Sequence, residues 1–299
     1  MDLRQLRYFV AVAEERHLTR AAERLGTQQP PLSRLIKRIE RDLDVQLFHR
    51  KARGVELTEA GRALFEEARA ILTRLEHAVQ TTQRTARGEQ GRLRLAVPPT
   101  GPFHPFVPRV IRTFREAFPR VSVTIEESLS NEVIDHLRRE LIDVGFLRAP
   151  VMDSDGLAIN TLLHEPMVVA LPTGHRLARM LTVSLAALAD ETFIVYGGKQ
   201  GPGLHDATIA ACLKAGFRPR VGQQAPRITS TLGLVATGLG ISLVPASLQR
   251  MTMDGLVYRP LRGAAQPKAI LTLASRHGDA SMVVRHFLNT VHRAAKTLP

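Results

Sequence analysis

The sequence predicts two fold classes in one chain: a small helical head with one short hairpin and a long helix, then a two-lobed α/β domain. Three observations predict this. At 299 residues the chain exceeds a single ordinary core, because domains cluster near roughly 100 to 150 residues. Before residue 90 apolar residues recur at helical spacing, and after it strand patterns alternate with helical ones. A polar, glycine-bearing stretch, RTARGEQG at 84–91, separates the two regimes. The expected divisions are a head at 1–58, a long helix at 59–88, a hinge at 89–91 and a C-terminal domain at 92–299. Within that domain one lobe takes about 92–160 and 267–299, and the other about 161–266.

Composition bounds the function. With 44% apolar and 23% charged residues the chain can build a core in every segment. Its net charge of +13 favours polyanionic partners. The surplus is +4 over residues 1–90 and +9 over residues 91–299, so charge does not single out the head. One cysteine, Cys212, excludes an intramolecular disulfide and a four-cysteine zinc site. The N-terminus MDLRQLRYF lacks the features of a signal peptide, and a cytoplasmic location is expected. Residues Ile228–Gln249 are uncharged over 22 positions, but Gly238, Gly240 and Pro245 break the run, so no membrane partner is expected.

Leu3, Leu6, Phe9, Val10, Val12 and Ala13 define a first amphipathic helix. A second begins at Thr19, where Ala21 and Ala22 permit close helix approach and Gly26 ends it. The third helix starts at Gln28 or Gln29, with Pro30 and Pro31 tolerated in its first turn. Leu32, Leu35, Ile36, Ile39 and Leu43 form its buried face, and Gln29, Ser33, Arg34, Lys37, Arg38 and Arg41 the opposite one. Two helices around a short turn, the second polar and cationic near its start, match a helix-turn-helix. Arg and Gln can read guanine and adenine in a major groove; a solvated face on an ordinary bundle is the alternative. The segment after it weakens that alternative. Leu47–Phe48 and Val55–Leu57 read as strands flanking HRKARG, which makes a wing whose Arg50 and Arg53 can meet phosphates or a minor groove.

The segment from Leu3 to Gly61, including AAERLGTQQPPLSRLIKRIE, LFHR and LTEAG in order, resembles the N-terminus of the LysR-type transcriptional regulators. The resemblance implies promoter DNA as a partner, with base and backbone contacts at Gln29, Pro30, Ser33 and Arg34 and a wing contact at Arg53. It also implies a homo-oligomer, commonly a tetramer built as a dimer of dimers, and RNA polymerase as a possible partner. The long helix fits: Leu64, Ala68, Ile71, Leu75, Ala78 and Thr82 have the alternating spacing of a coiled-coil seam. Packing on its own domain would produce the same spacing.

The C-terminal domain opens with strand RLRLAV, a helix at Phe106–Phe118, strand VSVTIEE, a helix at Glu132–Leu141 and strand DVGFLR. A second unit follows with MVVALP, TFIVYGG, helices at about Leu204–Ala215 and Thr231–Thr237, and ISLVPA. LVYRPL, AILTLAS and a helix at Met282–Ala295 return the chain to the first. Two such lobes resemble the periplasmic binding proteins, and the regulator family's effector domain has that fold. Ligands of open α/β sheets sit at the C-terminal ends of strands, which here carry PPTG at 98–101, Ser128–Asn131, Arg148, GGKQGPGL at 197–204 and the segment before Thr229. Helix N-termini and an arginine suit a small organic acid, although a lone Thr100 or Ser130 could equally cap a helix. EVIDHLRRELIDVGFLR and LGLVATGLGISLVPAS are most similar to the regulators of benzoate, catechol and chlorocatechol degradation. That resemblance implies an effector held at Thr100, Ser130, Pro202 and Gly203. Leu204 stands where an aromatic is often found, and Arg227 where an acidic residue is expected.

Enzyme chemistry lacks its parts. His164–Glu165 does not extend to HExxH, GLG at 238–240 is not a dinucleotide fingerprint, and no GxxxxGK[ST] or GxSxG occurs. Cys212 in ATIAACLKAG is expected to be a buried, inert thiol. No cofactor and no metal are expected. The competing readings are a ligand-independent DNA-binding protein and a two-lobed solute-binding or enzyme domain with an incidental DNA-binding head.

Overall fold

The computed structural model describes residues 1–51, 54–151, 154–196, 203–263 and 266–297. The chain divides into two compact units, Met1–Arg84 and Thr85–Pro299.

The first unit contains α1 (Leu3–Glu15), α2 (Leu18–Arg24), α3 (Gln29–Leu43), β1 (Phe48–Lys51), β2 (Gly54–Leu57) and most of α4 (Glu59–Ala86). Asp2 starts α1 with a capping box: its carboxylate accepts from Gln5 N, and the Gln5 side chain accepts from Asp2 N, both at 2.8 Å. Phe9, Val12, Ala21, Leu32, Ile39 and Leu47 are buried at the centre of the head. Alanines 21 and 22 are buried as expected, whereas Leu43 at the end of α3 is exposed. Two features aim the β1–β2 wing. Glu40 of α3 accepts from Leu47 N at 2.9 Å and Phe48 N at 3.3 Å. Gly54 adopts φ +127° directly against the carbonyl of Arg16, where any Cβ would collide. Thr58 then caps α4 by accepting from Gly61 N at 2.9 Å.

The seam on α4 is divided. Ala68 is buried and Leu64 half-buried against the head's own core. Ile71 and Val79 remain 45% and 49% exposed, so the apolar row free for another helix begins at Ile71.

In the second unit the chain order is β3 (Gln90–Val97), α5 (Phe106–Ala117), β4 (Arg120–Glu127), α6 (Ser130–Arg138), β5 (Val144–Ala149) and the long β6 (Leu157–Pro172). Then come β7 (Val183–Ser184), β8 (Thr192–Tyr196), α7 (Leu204–Lys214), β9 (Arg220–Ala225), α8 (Ile228–Ala236) and β10 (Ser242–Pro245). The chain closes with β11 (Leu256–Arg262), β12 (Lys268–Arg276) and α9 (Met282–Lys296). Strands β4, β3 and β5 are parallel neighbours, and β12 lies antiparallel between β5 and β6. Residues 157–166 of β6 pair with β12, whereas residues 167–172 pair with β10 and β11. One strand therefore belongs to both lobes. Phe106, Phe114, Phe146 and Phe287 fill the first lobe beneath α5 and α9. Phe193, Leu188, Leu171 and Cys212 fill the second.

Several elements differ from expectation. The first half of β6 was not expected, because AINTLLHEP has no regular apolar alternation. Strand β9 was not expected either: RVGQQA pairs with β8 on one side and buries only Ala225, so an edge strand of this kind leaves no pattern to read. The helix expected at Glu132–Leu141 runs from Ser130 to Arg138. Among the described residues no helix is long and apolar enough to cross a membrane.

Candidate nucleic-acid interface and ligand cleft

Helix α3 turns its small amphipathic surface outward at its N-terminal half. Gln29 and Ser33 are half-buried, and Pro30, Arg34 and Lys37 are exposed. The prolines in the first turn occupy positions whose N–H groups have no intrahelical partner. Several cations elsewhere in the head are paired: Arg24 with Glu14 at 2.7 Å, Arg38 with Asp42 at 3.8 Å and Lys51 with Glu56 at 3.4 Å. Arg34, Lys37 and Arg50 make no ion pair among the described residues. Ser33, Lys37, His49 and Arg50 line one concave surface between α3 and the wing. The structure thus brings together Ser33, Lys37 and Arg50, with Gln29, Pro30 and Arg34 on the same helix. Arg53 lies outside the described residues.

The effector-domain candidates converge on one buried arginine. Arg148 projects from β5 and is 3% exposed, with Thr100 at 1% and Glu165 at 4%. Its Nε donates to Thr100 Oγ1 at 3.0 Å and its Nη2 to Glu165 Oε2 at 3.0 Å. The Ser130 hydroxyl accepts from the backbone N of Arg148 at 3.1 Å and donates to the Arg148 carbonyl at 3.2 Å. Gly203, with φ +147°, has its open side against the Arg148 carbonyl and Cβ. Four predicted residues, from β5 and the starts of three other segments, therefore meet: Thr100, Ser130, Arg148 and Gly203.

Glu165, on β6, is the member that sequence reasoning missed. In the sequence it stands beside His164, a pair that does not extend to HExxH and carries no other signal. Its second oxygen accepts from Ser247 N at 2.6 Å, so one carboxylate ties Arg148 to the turn after β10. His104 is close by, and its Nδ1 accepts from Phe106 N at 3.2 Å. Burial holds its pKa below the usual imidazole range; the nearby charge of Glu165 opposes this and that of Arg148 reinforces it. Tyr196, at the end of β8, has its hydroxyl pKa pushed up by burial and by Glu127 and Glu132, with Arg148 opposing. It is a neutral donor at any working pH.

Two predicted residues stand apart. Leu204 is buried in the core of the second lobe, because as the first residue of α7 it faces the sheet. Arg227 precedes α8, is exposed, and has no bond to the Arg148 cluster among the described residues. Pro202 lies outside the described residues. Cys212 is fully buried, and burial pushes its thiol up to about 11, which suits an inert core residue.

Comparison with known proteins bears on both sites. Residues 3–62 match the model for the bacterial regulatory helix-turn-helix protein of the lysR family, and residues 86–296 the model for the LysR substrate binding domain. The transcriptional regulator AlsR of Bacillus subtilis is 35% identical over 97% of this chain and 95% of its own length. CatR of Pseudomonas putida is 34% identical over 99% of this chain and 100% of its own. The crystal structure of CbnR, a LysR family regulator, aligns with TM-score 0.87 at 29% identity, covering 97% of this chain and 100% of that one. The effector binding domain of BenM, solved with its effector benzoate, aligns with TM-score 0.62 at 27% identity, covering 70% of this chain and 96% of that one.

Proposed function

The chain belongs to the LysR family of bacterial transcription regulators, and from that premise we propose how its DNA-binding head and its effector-binding domain divide the work. Helix α3 enters the major groove of promoter DNA. Gln29, Pro30, Ser33 and Arg34 meet base edges and adjoining backbone, while Lys37 and Arg50 meet phosphates; Arg53 is assigned a wing contact from its sequence position. The observation that carries this is the concave surface between α3 and the wing, lined by Ser33 and by Lys37 and Arg50, cations unpaired among the described residues. A relative solved with its target DNA, CbnR, supports it.

The effector is a small organic acid, held around Arg148 with Thr100, Ser130 and Gly203. The benzoate-bound BenM domain supports a carboxylate ligand. The regulator works in the cytoplasm as a tetramer, a dimer of dimers, and contacts RNA polymerase at the promoter. The exposed row from Ile71 to Val79 on α4 supports a helix partner, since each buried aliphatic contributes about 1.5 to 3 kcal/mol.

The test pairs assembly with DNA binding. Replacing Ile71 and Leu75 with Asp is expected to reduce the oligomer in light scattering and to weaken binding to a promoter with two half-sites, while a single half-site is bound as before. An unchanged oligomer would remove α4 from the assembly. In the wild type, an organic acid that stabilises the protein is expected to shift promoter affinity or spacing preference, and no shift with any stabilising acid would refute effector control.

A further inference from the structure

Among the buried side-chain atoms with no hydrogen-bond partner are Arg148 Nη1, the Tyr196 hydroxyl and the Ser247 hydroxyl. An unpartnered polar group in a protein interior is costly, and a native structure that keeps several together calls for a reason. These three belong to one cluster. Glu165 joins Arg148 to Ser247, because its two oxygens accept from Arg148 Nη2 and Ser247 N. Tyr196 packs against the same apolar cluster as Phe103 and Ala246, which adjoin His104 and Ser247 in the chain, and the charge of Arg148 acts on its hydroxyl. Between them the three atoms offer four donors: two N–H bonds on Nη1 and one O–H each on Tyr196 and Ser247. A carboxylate has about four lone-pair sites and no donor. The donor set therefore matches one carboxylate group.

The charge balance sharpens the ligand class. Arg148 is already matched by Glu165 at 3.0 Å, so the buried pair is neutral before any ligand arrives. A bound monoanion brings the cluster to one net negative charge, and a dianion brings it to two. In an interior of low dielectric the second charge finds no cation within the cluster, and Glu127 and Glu132 already act on Tyr196 from one side.

We propose that Arg148 Nη1, Tyr196 and Ser247 are the groups that ligate the effector's carboxylate, and that Glu165 makes the cleft select small monocarboxylic acids over dicarboxylic ones. This rests on the reading of the cleft as the effector site, and it assigns Tyr196, Ser247 and Glu165 roles that neither spacing nor resemblance implied. Thr100 and Ser130 act on the arginine: Ser130 spends its hydroxyl on the Arg148 backbone, and Thr100 accepts from Nε.

The experiment uses the full-length protein, thermal shift and calorimetry, and two matched pairs of probes: butyrate with succinate, and benzoate with phthalate. In the wild type at least one monoacid is expected to bind more tightly than its diacid counterpart. Tyr196→Phe and Ser247→Ala remove hydroxyls that bond to nothing in the free protein, so the ligand-free Tm should hold or rise. Each is expected to weaken the monoacid by roughly tenfold, as the loss of a hydrogen bond to a charged group would. Glu165→Gln should shift the diacid-to-monoacid affinity ratio upward by roughly tenfold. If Glu165→Gln does not fold, the wild-type preference and the two hydroxyl variants decide the matter. Monoacid binding of wild-type strength in both hydroxyl variants, or a wild-type preference for the diacids, overturns this inference and leaves the cleft as the effector site. If none of the four acids binds the wild type, the cleft reading falls together with the inference.

Discussion

Arg34 and Arg148 are the same side chain in opposite states. Arg34 stands exposed on α3, one turn from Lys37, with no carboxylate partner among the described residues. Arg148 is enclosed in the effector domain, bonded to Thr100 and Glu165. An exposed cation loses little by waiting for a polyanion, because water solvates it until counterion release rewards the contact. A buried cation has lost its water already and depends on its neighbours to be tolerable. The head can therefore change its contact residues without changing its stability, whereas in the effector domain the residue proposed to sense the ligand is also a structural one.

The strongest way to break that contrast is to truncate both arginines and compare stability. Arg148→Ala leaves Glu165 buried without its cation, and loss of one partner of a buried pair costs about 3 to 5 kcal/mol. Chemical denaturation should show a loss of that size. Arg34→Ala should stay within about 0.5 kcal/mol of wild type, as surface changes do. Equal losses would mean that Arg34 supports the head's fold, and an unaffected Arg148→Ala would mean that the pair adds nothing to stability.

The next effect is on DNA. Arg34→Ala is expected to weaken the cognate promoter by about 1 to 3 kcal/mol, the usual value of a bidentate base contact, and random duplex by less. Arg50→Ala should weaken both alike and flatten the salt dependence by roughly one ion, as a phosphate contact does. Fluorescence anisotropy at several salt concentrations separates the two. If Arg50→Ala proved the selective variant and Arg34→Ala the uniform one, the roles of helix and wing would be exchanged.

The same contrast decides what could be read from the sequence. The head was legible because each element is local: Leu32, Ile36 and Ile39 announce the buried face of α3, and the outward residues lie on the helix that uses them. Arg148 was legible as the end of a strand. Glu165 and Ser247 were not, because they come from β6 and the turn after β10, and pairing across that distance leaves no periodicity. Tyr196 enters the sequence reading only as part of the strand TFIVYGG. The α4 seam was half legible: the spacing was real, but only packing reveals that Leu64 and Ala68 are spent on the head. Strand β9 was invisible because, burying only Ala225, it has no face to display.

A second buried ion group tests whether burial of charge is a general habit of the effector domain, with a smaller expected effect. Asp143 accepts from the Arg94 side chain at 2.6 Å and 3.2 Å and from its backbone N at 2.8 Å, and Arg276 approaches at 3.4 Å. Burial alone would push this carboxyl up, but the hydrogen bonds from Arg94 and the charges of both arginines outweigh it, so its pKa is held below the ordinary value. A depressed folded-state pKa contributes stability that is complete above the unfolded value, about 3.9, and is lost as pH falls through the folded value. Arg94→Met removes the side-chain bonds and keeps the backbone one, so the stability it costs should be nearly constant from pH 7 to pH 5 and shrink below about pH 4. Arg276 remains to carry part of the charge, which makes this loss smaller than that of Arg148→Ala. A variant whose deficit against wild type stayed the same down to pH 2.5 would show that Arg94 stabilises β3 by packing its aliphatic stem, not by its charge.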